Sequence, residues 1–226
     1  MNYTFQFSVV TSNLDIFAWG ALRTIEFSFL AMVLGLSVGI LCAYVRTQTD
    51  GLAAWPVIAY VELFRNTPFL IQLFFFFFAL PAVGFKLTPN QAAILALTIN
   101  LGAYTTEIVR AGIEAIHPGQ IEAGSALGLT RRQVFTYVVL MPALERVYPA
   151  LSSQFIFLML GSAVVSVISA QDLTAAAALL ESRTYRAFEI YFFSTFVYIA
   201  LAFLFRGVFA LLGKFVFSGR LSYQAG

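Results

Sequence analysis

The sequence predicts an all-α integral membrane protein with about five transmembrane helices, and three observations predict it. Of the 226 residues, 60% are hydrophobic and only 11% are charged; a soluble domain carries about a quarter charged. Mean hydropathy is +0.86. The apolar residues also gather into separate stretches, at 22–45, 55–83, 90–109, 148–168 and 188–212, each long enough for the ~20 residues a helix needs to cross hydrocarbon. The first partner this implies is the lipid bilayer. A net charge of +2 is too small to argue for nucleic acid or an acidic partner. Cys42 and His117 are the sole cysteine and histidine, so neither a disulfide nor a Cys/His metal site is available.

Residues 1–21 carry Tyr3, Phe5, Phe7, Phe17 and Trp19, a composition suited to an amphipathic lead-in at the outer interface. No basic residue precedes Arg23, which does not fit the charged start of a cleavable secretory signal. An odd number of spans puts the termini on opposite sides, and cationic residues set the direction. With the amino end outside, eight inner cations (Arg46, Arg110, Arg131, Arg132, Arg146, Arg206, Lys214 and Arg220) face four outer ones (Arg23, Lys86, Arg183 and Arg186). This orientation makes 114–147 a cytoplasmic loop and 218–226 a cytoplasmic tail, with 22–217 as one membrane domain.

In the first span, Gly35 and Gly39 form a small-xxx-small pair that permits close helix contact. The second span is less simple. Glu62 and Arg65 are three apart and placed to pair on one helical face, and Pro68 removes a backbone donor just beyond them, so Asn66-Thr67-Pro68 kinks the span. Two placements fit: Glu62 and Arg65 at the cytoplasmic interface, or on a tilted helix that carries them inward. The run Phe74 to Phe78 shows no stripe and faces lipid and packing partners all round.

Asn100, Tyr104, Glu107 and Arg110 in the third span fall along one helical face, with Arg110 as the partner for Glu107. A structural polar seam and a share in a translocation path both satisfy that pattern. The fourth span holds Gln154, Ser162, Ser166 and Ser169, neutral groups that suit a path lining and helix packing equally. Between the last spans, residues 171–186 predict a short outer helix around Ala175 to Ala178.

The longest polar interval is the loop at 114–147. His117-Pro118-Gly119 breaks what precedes it, and residues 120–127 then predict a short helix with Gly128 at its end. Thr130 with Gln133 is a capping-box spacing that starts a second helix, which Pro142 interrupts. Ala123, Gly124, Ser125 and Ala126 give the first helix a smooth surface, with Glu122 as one fixed charge beside it.

Glu122-Ala123-Gly124, then Gly128, then Val138-Val139-Leu140-Met141-Pro142, resembles the E-A-A, G, Leu-Pro loop of ATP-binding-cassette (ABC) importer permease subunits. Glu62-Leu-Phe-Arg-Asn-Thr-Pro68 and Tyr104-Thr-Thr-Glu-Ile-Val-Arg-Ala-Gly-Ile113 are similar to motifs of the polar amino acid branch, which imports histidine, glutamine, arginine and opines. There are departures. Gly124 stands where Ala is usual, Pro142 falls one place late, and Met159-Leu160-Gly161-Ser162 stands where relatives often carry Lys-Asp-Thr-Ser, so no charged solute contact carries over from that stretch.

The resemblance implies a type I ABC importer permease fold in a bacterial inner membrane, with a periplasmic amino end. It implies a coupling helix in which Glu122, Ala123, Gly124, Gly128 and Pro142 meet an ABC ATPase subunit dimer. A second permease subunit, identical or related, a periplasmic solute-binding protein and an amino acid substrate complete the set. The candidate translocation path is Arg65, Thr67, Asn100, Tyr104, Glu107, Gln154, Ser162 and Ser166. No G-x-x-x-x-G-K-[ST] loop occurs in the chain, so ATP and Mg belong to the partner ATPase and this chain holds no cofactor. No nucleophile, base and acid form a catalytic set. The alternative, a self-contained channel or secondary carrier for small polar solutes, predicts repeated halves, and five spans do not divide evenly.

Overall fold

The computed structural model describes residues 4–49 and 51–217; Tyr3, and the tail 218–226 with Arg220, lie outside the described residues. Among the described residues every regular element is helical. In chain order these are α1 (Ser8–Thr11), α2 (Leu14–Gln48), a 3-10 turn (Gly51–Ala53), α3 (Trp55–Arg65), α4 (Phe69–Phe74), a π-helical stretch (Phe75–Ala79) and a 3-10 turn (Leu80–Val83). They continue as α5 (Pro89–Glu114), α6 (Pro118–Ala126), α7 (Arg131–Gln133), a second π-helical stretch (Val134–Leu140), α8 (Met141–Gly161), a 3-10 stretch (Ser162–Ile168), α9 (Leu173–Thr184) and α10 (Ala187–Phe217).

Among the described residues four helical runs are long and apolar enough to cross a membrane: Leu14–Gln48, Pro89–Glu114, Arg131–Ile168 and Ala187–Phe217. A fifth is reached when the broken pair Trp55–Arg65 and Phe69–Val83 counts as one span. The break follows from Pro68, which has no N–H and sits at φ −61°, ψ 136°. The side chains before it close the end of α3. Asn66 Nδ2 donates to the Glu62 carbonyl at 2.8 Å, and the Thr67 hydroxyl donates to that of Leu63 at 2.8 Å.

Two local expectations are corrected. The short loop helix is Pro118–Ala126, not 120–127, because Pro118 fits the first helical turn, where no donor is needed. Pro142 interrupts nothing: the run from Arg131 to Ile168 is continuous, and the π-helical turns at Val134–Leu140 absorb the local change just before it. The phenylalanine run divides between exposed surface and packing partners, in keeping with a stretch that has no single apolar stripe. Its π-helical winding turns Phe76 inward while Phe75 and Phe78 stay exposed.

The chain forms two compact units. The first comprises residues 4–32, Pro68–Thr98 and Phe155–Gly207, around Phe17, Phe27, Leu73, Leu97, Met159, Leu173 and Ile190. Phe17 meets Phe193 edge to face, with centroids 4.9 Å apart. Backbone donors of the connection before α9 are taken up by side chains: Gln171 N–H by Asn90 Oδ1 at 3.0 Å and Leu173 N–H by Thr24 Oγ1 at 3.1 Å. Asp172 caps α9 by accepting the Ala175 N–H at 2.8 Å. Glu189, wholly buried, accepts the Gln6 N–H at 2.8 Å, and Arg186 donates to the Thr4 carbonyl at 3.0 Å. The leading segment is thereby fastened to the start of α10.

The second unit comprises Val33–Thr67, Ile99–Gln154 and residues 208–217. Between membrane helices hydrocarbon burial gives little net drive, so close backbone approach and hydrogen bonds must supply it. Gly35 packs on Leu101 and Gly39 on Thr105, whose hydroxyl reaches the Gly35 carbonyl at 3.1 Å. Gly112 packs on Ala143 and Val147. Tyr60 donates to the Ile99 carbonyl at 2.7 Å, and Tyr148 to that of Phe209 at 2.6 Å.

Candidate functional site

The chemistry-bearing residues of the second unit fall into a charged cluster on α5 and an exposed short helix after it. Glu107 is the centre of the first. Its carboxylate pairs with Arg46 of α2, with Arg110 Nη2 at 2.8 Å one turn on, and with Arg65 of α3 at 3.7 Å. Arg110 also reaches Glu114 at 2.6 Å. The Arg65 guanidinium lies 5.6 Å from the centroid of the Tyr104 ring. An ionised carboxylate away from bulk water needs such compensation, and here three guanidiniums supply it.

The structure therefore brings Arg65, Tyr104 and Glu107 together. The expected pairing of Glu62 with Arg65 is corrected: Glu62 is exposed and accepts from Asn66 at 2.9 Å, while Arg65 turns to Glu107. Arg110 does pair with Glu107, but Arg46 joins it, a contact that spacing along one helix could not reveal. Asn100 sits one turn from Tyr104 on α5, partly buried. Thr67, in the bend after α3, donates to the Leu63 carbonyl, and Gln154 lies on α8, half-exposed. Ser162 and Ser166 belong to the first unit, and both hydroxyls donate to backbone carbonyls, of Met159 at 2.7 Å and Ala163 at 2.8 Å. Ser162 is completely buried.

The short helix is built from its caps inward. His117 Nδ1 accepts the Gly119 N–H at 3.1 Å, so the one histidine of the chain is the N-cap of α6. After α6 the chain turns at Gly128, whose φ of +79° is cheap only for glycine. Thr130 and Gln133 complete a capping box that starts the next run. Glu122 and Ala123 are exposed, while Gly124 is buried, with Val138 Cγ2 3.2 Å and Val134 Cγ2 3.5 Å from where its Cβ would stand. The small face of α6 thus rests on the π-helical stretch, and Glu122 remains available to solvent. Pro142, half-exposed, opens α8 beyond it.

Sequence reasoning missed Asp172, Glu189 and Arg46 as structural polar groups. Asp172 followed by four alanines three residues on carried an N-cap signal; nothing local to Glu189 did. Burial pushes the Asp172 carboxyl above the ordinary aspartate range, against the pull of the Ala175 N–H and the Tyr198 hydroxyl. Among the described residues no cluster of His, Cys, Asp and Glu is placed to hold a metal.

Comparison with known proteins agrees in family and fold. Residues 17–218 match the family described as the binding-protein-dependent transport system inner membrane component. The chain is 34% identical over 194 residues to the probable glutamine ABC transporter permease protein GlnM of Bacillus subtilis (strain 168), covering 86% of this chain and 90% of that one. It is 34% identical over 189 residues to the glutamine transport system permease protein GlnP of Escherichia coli (strain K12), covering 83% and 86%. Among solved structures, an amino acid ABC transporter with histidines superposes with a TM-score of 0.84 at 33% identity, over 94% of this chain and 99% of that one. The inward-facing MetNI methionine ABC transporter, at 24% identity, TM-score 0.74 and coverage of 90% and 97%, shares the fold. The helices and these matches together show that the chain belongs to the binding-protein-dependent inner membrane component family, as a permease subunit of the polar amino acid branch of ABC importers with the type I fold.

Proposed function

We propose that this permease forms, with a second permease subunit, identical or related, the path for glutamine or a similarly polar amino acid. A periplasmic solute-binding protein delivers the solute, and a separate ABC ATPase dimer, which binds ATP and Mg, drives passage. The relatives named for glutamine support the solute class, and the cation distribution supports a periplasmic amino end and a cytoplasmic carboxyl end in a bacterial inner membrane. In this arrangement 1–21 is the periplasmic lead-in, 22–217 the membrane domain, 114–147 the coupling loop and 218–226 the tail.

The observation that carries the proposal is the mounting of α6. An exposed small-residue helix carrying Glu122 and Ala123 is backed through Gly124 onto Val134 and Val138, and its far end is turned by Gly128. A partner that grips α6 therefore pushes on the run continuing through Pro142 into α8. The ATPase moves the equilibrium only through its differential affinity for two permease states, and a stiff mount transmits that difference. Arg65, Thr67, Asn100, Tyr104, Glu107, Gln154, Ser162 and Ser166 are the path residues of this proposal; Arg65, the most exposed arginine around Glu107, is the first to meet a passing solute.

The test is ATP-driven uptake in proteoliposomes holding the whole complex and its binding protein. Glu122→Lys and Gly128→Asp are expected to leave the complex assembled and lower the solute carried per ATP hydrolysed. Wild-type stoichiometry in both variants, or full-rate uptake by the permease without its ATPase, would overturn the proposal.

A further inference from the structure

The first unit contains a cleft of about 440 Å³ that the proposed transport cycle does not use. Its walls are α2, with Asp15, Ile16 and Trp19, and α9, with Ala175, Leu179 and Arg183. The two helices touch at Gly20, where an added Cβ would lie 2.8 Å from the Cβ of Ala176. Small residues on α9 leave the space beside that contact open. The volume is in the range that encloses a small ligand.

The polar residues at this cleft, Asp15, Gln171 and Arg183 exposed and Asp172 buried, define the ligand chemistry it suits. Asp15 and Arg183 both line it, yet among the described residues neither side chain makes an ion pair or a hydrogen bond, with each other or with anything else. The Gln171 side chain lines it as well and is likewise without a partner among the described residues. Trp19 is held in place by the Arg23 guanidinium, 4.6 Å from its ring centroid, which is itself tied to Glu26 at 2.6 Å. Asp15 in the first turn of α2 and Arg183 in the last turn of α9 each suit their helix dipole. That accounts for the residue types, but not for their convergence on one semi-apolar cleft.

We propose that this cleft binds a zwitterionic group, with its ammonium at Asp15, its acid oxygens at the Arg183 fork and its hydrocarbon against Trp19 and Leu179. A guanidinium fork matches a carboxylate or a phosphate, and a nearby carboxylate selects ligands that also carry a cation. A simple anion or cation satisfies only one of the two charges. Two sources share this chemistry: a free α-amino acid, and the headgroup of an ethanolamine phospholipid at the membrane interface. The cleft is lined wholly by residues of the first unit, and the inference does not depend on the transport proposal.

The test uses the full chain carrying Trp55→Phe, which leaves Trp19 as the only tryptophan. It is placed in phosphatidylglycerol nanodiscs, whose lipid has no ammonium. One arm titrates L-glutamine; the other replaces the lipid stepwise with phosphatidylethanolamine. A saturable change in Trp19 emission is expected in at least one arm, and the responding arm identifies the source. Asp15→Asn and Arg183→Gln should each raise the midpoint roughly tenfold or more, while Arg183→Lys keeps part of the response. Melting temperatures of the variants control for folding. No saturable change in either arm, or an unchanged midpoint in either neutralised variant, overturns the proposal.

Discussion

The Arg65 guanidinium lies 3.7 Å from a Glu107 carboxylate that Arg46 and Arg110 already hold. Removing the centre differs from removing a spoke. Glu107→Gln leaves the guanidiniums facing one another across a partly buried site and should cost about 3 kcal/mol. Arg65, with 39% of its side chain exposed, is a solvated partner, so Arg65→Gln should change stability by less than about 1 kcal/mol. Unfolding of both variants in mixed detergent micelles measures the contrast, and equal losses would contradict it.

Glycines in the spans divide into those that touch backbone and those that do not. A Cβ on Gly39 would lie 3.0 Å from the Thr105 carbonyl carbon and closer still to its side chain. Gly39→Ala should therefore destabilise by about 2–3 kcal/mol, through α2 forced away from α5. Gly161 has nothing within 4 Å, and Gly161→Ala should be neutral or gain up to about 1 kcal/mol. The same unfolding assay orders the two.

At Asp172 the expected effect is a pH dependence. Its carboxyl is held above the ordinary aspartate range by burial, so the folded chain binds this proton more tightly than the unfolded one. That contribution is fully present below the ordinary aspartate value and is lost as pH rises through the raised one. Asn keeps an acceptor for the Ala175 N–H and has no proton to lose. The melting temperature of Asp172→Asn relative to wild type should climb through this window and then level off. A difference that stays flat across it would contradict the assignment.

Gly124 tests the mount of α6 in two steps. Gly124→Ala puts a methyl 3.2 Å from Val138 Cγ2, a contact that a small shift relieves, and should cost less than about 1 kcal/mol with uptake per ATP retained. Gly124→Leu cannot fit there and should lift α6 from Val134 and Val138. Uptake per ATP should then fall even where the complex still assembles.

Local chemistry was legible in the sequence, and side-chain partnership across helices was not. Thr130 with Gln133, Gly128 and Pro68 each act through the backbone within a few residues, and each does what its residue type dictates. Arg65 was paired with the wrong glutamate because Glu62 is near in sequence, whereas Glu107 approaches from another helix. Glu189 gave no signal at all, since the Gln6 N–H it accepts lies 183 residues away. Pro142 misled for a different reason. Its missing donor is harmless at the start of α8, and the winding of the preceding turns hides the break.

Those π-helical turns at Val134–Leu140 also fix an azimuth. Each residue of the following α-helix is set about 100° around the axis from its neighbour. Excising one amino acid from this stretch would scarcely shorten the rod, yet it would swing Tyr148, Gln154 and all that follows through more than a quarter turn. Here chain length is a dial setting rather than a spacer, and losing a single residue amounts to repointing an entire membrane segment.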